Sequence, residues 1–105
     1  MTDKLLSALS LCRKAGALTV GFDAVADTLA DGRAQLLLFA ADLSPATQRR
    51  MLARNPGAVP AQVLPYTQQA LAAITRRPAG VLAITDPNFG ALCQNALNAA
   101  PATPI

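Results

Sequence analysis

Gln35-Leu36-Leu37-Leu38-Phe39-Ala40-Ala41 is, from Leu36 on, a continuous apolar run without polar alternation. A strand with one face in water alternates apolar and polar residues. A run that does not alternate suits a strand buried on both faces. Such a strand needs helices on either side of its sheet, so this heptapeptide predicts an inner strand of a layered α/β domain.

The flanking sequence supplies the layers. Upstream, Leu5, Leu6, Leu9 and Cys12 recur at helical spacing, with Ala8 and Leu11 broadening the stripe, and predict a helix over 3–15. Thr2 or Asp3 can cap its start. Arg13 and Lys14 complement the carbonyl end, and Gly16 supplies the stop. Ala17-Leu18-Thr19-Val20 reads as a short strand ended by Gly21. Phe22, Val25, Ala26 and Leu29 then share a helical face, closed by Asp31-Gly32.

Downstream, Ser44-Pro45 is a helix start, with a capping hydroxyl and proline at the first helical position. That helix runs to about Arg54, where Asn55-Pro56-Gly57 breaks it. Gln62-Val63-Leu64 is a third strand, and Thr67 caps a helix over 68–75 with Leu71 and Ile74 inward. Arg76-Arg77-Pro78 interrupts the chain before a fourth strand, Gly80-Val81-Leu82-Ala83-Ile84-Thr85. Asp86-Pro87 opens a last helix with Phe89, Leu92, Cys93 and Leu97 on one face. The alternation predicts an α/β fold, a three-layer α/β/α sandwich around a four-stranded mixed central sheet. Residues 1–100 read as one domain and 101–105 as a flexible tail.

Composition narrows the function. The 105 residues are 52% apolar and only 14% charged, against roughly 25% charged in an average globular chain. Nine Lys and Arg against six acidic residues give a net charge of +3, which permits a polyanionic partner. Cys12 and Cys93 have no CxxC spacing and sit in apolar helical patterns, which fits a reduced, cytoplasmic setting but leaves one bridge open. Neither a signal peptide nor a membrane span is legible.

The sequence has no His, no Glu and no Trp. The commonest general base and the commonest metal ligand are therefore missing. No cofactor, metal or catalytic residue is expected, and the chain does not read as an enzyme. Asp42 and Asp86 both follow strands and can lie at one sheet edge as a carboxylate pair. The plainer reading is that Asp86 caps a helix and Asp42 precedes the Ser44 cap. Gly16 and Gly21 belong to no phosphate-binding glycine motif.

The basic residues include three pairs: Arg13-Lys14, Arg49-Arg50 and Arg76-Arg77. The first and third are next to loops. If those loops share one end of the sheet, their charges converge on phosphates. Arg49-Arg50 falls within a helix and reads as a solvated face, so charge reversal there should matter less than at Arg76 and Arg77. Phe22, at a strand-to-helix turn, is the aromatic residue best placed for exposure.

These residues form a familiar series. Leu5-Leu6-Ser7-Ala8-Leu9, Cys12-Arg13-Lys14-Ala15-Gly16 and Val20-Gly21 resemble the opening of the kink-turn-binding ribosomal protein family of the L-seven-Ae type, nearest its bacterial YlxQ-like branch. Leu36 through Ser44, and Leu82-Ala83-Ile84-Thr85-Asp86 with Phe89, continue the likeness over about residues 4–97. The resemblance implies an α/β/α sandwich that binds structured RNA, of ribosomal or kink-turn type. Contacts would come from the turn after the first strand and the loop before the last, and DNA and membranes are not expected. Ribosomal or translation-related proteins are the implied protein partners.

Carried over residue by residue, the implied RNA-binding set is Arg13, Lys14, Thr19, Val20, Gly21, Phe22, Asp23, Arg76 and Arg77. The sequence departs from the family at five places, the first being Phe22, which is bulkier than the residue usual after the glycine. Asp23 stands where the family has a base-reading Asn, Ala24 where it has Glu, and Asp27 where it has an RNA-contacting Lys. The glycine usual before the last strand falls near Arg76. An aspartate accepts hydrogen bonds but has no amide to donate. The departures imply altered specificity, or a protein-interaction module on the same fold.

Overall fold

A computed structural model describes residues 4–55, 59–76 and 78–99. Helices and strands alternate through them: α1 (Lys4–Lys14), β1 (Leu18–Val20), α2 (Phe22–Ala30), β2 (Leu36–Phe39), α3 (Pro45–Ala53), β3 (Ala61–Val63), α4 (Gln68–Thr75), β4 (Val81–Ile84) and α5 (Pro87–Ala99). The four strands form one sheet in the order β1-β4-β2-β3. β4 runs antiparallel to both neighbours, with Val20 opposite Leu82 and Phe39 opposite Val81. β2 and β3 are parallel. The sheet is therefore mixed, and the expected architecture is the observed one.

The inner strands β2 and β4 are buried at every position. Successive side chains point to opposite faces, so each strand feeds two cores. Leu36, Leu38, Leu82 and Ile84 pack with Leu5, Leu9 and Cys12 of α1, Leu71 of α4 and Cys93 of α5. Leu37, Phe39, Val81 and Ala83 pack on the other face with Val25, Ala26 and Leu29 of α2 and Met51 of α3. Each buried leucine contributes roughly 1.5–3 kcal/mol, more than any single cap. The apolar pattern therefore sets the layers, and the polar signals set where elements begin and end.

Those polar signals act where they were read. Ser44 Oγ accepts the Thr47 N–H at 3.2 Å, and Thr67 Oγ1 accepts the Ala70 N–H at 3.1 Å. Asn55 pairs with Val59 ahead of β3. Its amide nitrogen donates to the Val59 carbonyl and its oxygen accepts the Val59 N–H, both at 2.9 Å. The expected cap at Thr2 or Asp3, the breaker Pro56-Gly57, Arg77 and the tail 101–105 lie outside the described residues.

Two positions depart from the sequence reading. Leu11 and Leu92 are expected on the inner faces of their helices but are 51% and 44% exposed. Both line the open groove between α1 and α5. Cys12 and Cys93 meet between the same two helices. They are buried free thiols with their sulfurs 3.6 Å apart. Donation to Cys93, reinforced by burial, pushes the Cys12 thiol up from its ordinary value. Among the described residues no helix is long and apolar enough to cross a membrane. Nor do any three of their His, Cys, Asp or Glu side chains cluster to hold a metal.

Candidate nucleic-acid interface

β1, β2 and β3 end where β4 begins, so three connections meet at one end of the sheet. The Gly21 N–H donates to the Val81 carbonyl at 3.0 Å, and the Ala40 N–H donates to the Gly80 carbonyl at 2.9 Å. The start of β4 is thus held from both sides. Asp42 adds a strap: its Oδ1 accepts the Gln68 N–H at 2.9 Å and ties the β2–α3 connection to the first turn of α4. Gly80 is packed tightly here, since a Cβ at that position would lie 2.5 Å from Leu43 Cδ1.

Gly21 turns β1 directly into α2. Its φ of 100° and ψ of 150° lie in a region open to glycine alone. No side chain among the described residues caps this end of α2, so its first-turn N–H groups and the positive end of its dipole face outward. Asp23 is exposed in that first turn, and Ala24 and Asp27 are exposed beside it. The carboxylate of Asp23 satisfies the dipole but opposes phosphate.

Phe22, the first residue of α2, is half-buried against the core of Val25, Leu37 and Met51. Two guanidinium groups from α3 lie over its ring, Arg54 at 5.5 Å and Arg50 at 5.9 Å from the centroid. Both arginines are exposed. Among the described residues the one ion pair is Arg33–Asp31 on the surface, so neither Arg50 nor Arg54 is neutralised by a carboxylate there. Arg49 and Arg50 are exposed, as a solvated face requires, and Arg50 in addition lies over the Phe22 ring. Arg50 and Arg54 are four apart and so share a helix face, a signal present in the sequence. That this face meets the α2 N-terminus follows only from both helices covering the same side of the sheet.

Arg76 ends α4 and opens the connection leading to β4. Its N–H donates to the Ala72 carbonyl at 2.7 Å, and its φ is 71°. It is the one non-glycine residue with positive φ among those described. A helix stop of this kind favours glycine, so an exposed arginine occupies a strained position ahead of β4. Arg77 cannot be placed, since it lies outside the described residues.

The other predicted residues divide. Thr19 and Val20 lead into Gly21 on edge strand β1, opposite Ala83 and Leu82. Val20 packs into the core beneath α1, and Thr19, by alternation, faces the other side. Arg13 and Lys14 belong to a different loop from Arg76. They end α1 just before β1 begins, where Ala17 accepts the Thr85 N–H at the far end of β4. Antiparallel pairing of β1 with β4 puts the two loops at opposite ends.

The same pairing separates the aspartates. Asp42 follows the end of β2 and Asp86 follows the end of the antiparallel β4, so they cannot form a carboxylate pair. Asp86 caps α5, its Oδ1 accepting the Asn88 N–H at 2.8 Å and the Phe89 N–H at 3.3 Å.

No protein-family model matches the sequence, and no curated protein aligns with it. Solved structures do share the fold. A protein of unknown function from Bacillus halodurans superposes with a TM-score of 0.82 at 22% identity, over 92% of this chain and 99% of that one. A 15.5 kD RNA-binding protein from Giardia lamblia superposes with a TM-score of 0.71 at 21% identity, over 90% of this chain and 82% of that one.

Proposed function

We propose that this chain is a non-catalytic, cytoplasmic RNA-binding protein, and that its interface is the sheet end formed by the Gly21 turn and the α4–β4 connection. One observation carries this reading. An uncapped helix N-terminus follows the Gly21 turn, and an exposed arginine held in a strained backbone precedes the strand that pairs with β1, on a fold shared with an RNA-binding protein. A helix N-terminus offers N–H donors and positive potential to a phosphate. An arginine offers a planar donor fork to the same group. Neither needs a metal or cofactor.

The substrate class is structured RNA of the ribosomal or kink-turn type, and a ribosome- or translation-associated role follows from the sequence likeness. Gly21, Phe22, Asp23 and Arg76 line the interface, with Thr19 and Val20 supporting it. Arg13 and Lys14 are left out, because they lie at the other end of the sheet. Asp23 and Asp27 remove a base-reading amide and a basic contact, so specificity differs from that of the family resembled.

Titration of the chain with a kink-turn RNA and with a bent ribosomal RNA fragment, across a range of salt, tests the reading. Binding that weakens steeply as salt rises is the expected result. Absence of binding to either RNA at low salt would overturn it. A second reading, a protein-interaction module, is favoured by the exposed carboxylates of Asp23 and Asp27 and by Leu11 and Leu92 lining the open α1–α5 groove. Recovery of a protein partner after nuclease treatment, with no RNA retained, would select it.

A further inference from the structure

We infer that Phe22, Arg50 and Arg54 form a phosphodiester clamp that carries the RNA backbone away from the Gly21 turn and across α3; the inference rests on the RNA-binding reading above. Arg50 and Arg54 come from successive turns of α3, yet both guanidiniums sit over one ring, at 5.9 and 5.5 Å. Bringing two like charges to a single ring is unfavourable in the free protein, and no described carboxylate forms an ion pair with either. A phosphodiester supplies the missing negative charge. Its two free oxygens suit guanidinium forks.

The ring has a mechanical part. Phe22 is packed against Leu37 and Met51 and is the first residue of α2. It therefore fixes both guanidiniums at the end of the sheet where α2 turns its N–H groups outward. Arginines stacked on an aromatic face lose less freedom on binding than arginines free in solvent. The clamp also accounts for charge balance at this surface. Asp23 and Asp27 make the exposed flank of α2 acidic, and Arg50 and Arg54 return positive charge to the same side from the neighbouring helix.

The test is a salt series with a kink-turn RNA on four forms of the full chain: wild type, R50Q/R54Q, F22L and R49Q. Arg50 and Arg54 are exposed, so the double variant should keep the wild-type melting temperature. It is expected to bind about tenfold more weakly at low salt, with a slope of log affinity against log salt shallower by about 1, as for loss of one or two phosphate contacts. F22L keeps an apolar side chain in the core but loses the ring, and should show a smaller loss of the same sign. R49Q should bind as wild type does. Equal losses in R49Q and R50Q/R54Q would mean a diffuse basic surface and overturn the clamp. Unchanged affinity and slope in R50Q/R54Q, with wild-type binding intact, would overturn the clamp while the RNA-binding reading stood. A wild-type chain that binds no RNA would overturn both.

Discussion

Two residues at the proposed interface sit where the backbone favours glycine, and only one of them is glycine. Gly21 needs its φ of 100° to pass from β1 into α2 without a connecting loop. Substitution by alanine forces a side chain into a region that costs about 1–3 kcal/mol. Gly21→Ala should therefore lower the melting temperature and weaken RNA binding together, measurable by thermal unfolding and by titration of the same sample. Arg76 predicts the opposite pairing. A non-glycine residue at left-handed φ costs roughly 1–2 kcal/mol, and glycine's greater freedom in the unfolded chain returns only about 0.4–1 kcal/mol of that. Arg76→Gly should thus stabilise the fold by about 0.5 kcal/mol while reducing RNA affinity. A lower melting temperature would show that the strain is offset by contacts of the side chain. A stabilised variant that keeps full affinity would remove Arg76 from the interface.

Helix starts carry most of the polar detail, and the aspartates that follow strands turn out to belong to them. Asp86 satisfies two N–H groups of α5, and Asp42 satisfies one of α4 from another part of the chain. Replacement of either by alanine should cost about 1 kcal/mol, read from chemical unfolding, with no change in the far-UV spectrum of the folded state. The caps at Ser44 and Thr67, like the run of elements itself, were legible in the sequence because capping is local and apolar periodicity survives in a linear string. The inner strands were legible for the same reason: Leu36–Phe39 and Val81–Ile84 have no polar residue to turn toward water. Packing between helices was not legible. Leu11 and Leu92 fit their helical stripes, yet they stay exposed along the groove between α1 and α5. The stack of Arg50 and Arg54 on Phe22 was hidden likewise, since it depends on α2 and α3 sharing one face of the sheet.

For the whole molecule, strand direction decides which loops can cooperate. Arg13-Lys14 and Arg76-Arg77 look equivalent in the sequence, but the first pair leads into β1 and Arg76 leads toward β4, and the antiparallel pairing of β1 with β4 has those two strands start at opposite ends of the sheet. Reversal of charge at Arg13 and Lys14 should leave RNA affinity within about twofold at about 0.15 M salt, whereas reversal at Arg76 should weaken it severalfold. Comparable losses would indicate a partner that wraps both ends of the sheet. Strand order has one more effect. β1 pairs with β4 alone, and β4 is the last of the described strands in chain order. As the chain emerges from the ribosome, the Gly21 turn has no strand to lean on until Val81 has left the exit tunnel. A prematurely terminated product would carry Phe22, Arg50 and Arg54 without the frame that aligns them. Alignment of Phe22, Arg50 and Arg54 then depends on a strand far downstream of the Gly21 turn in the sequence.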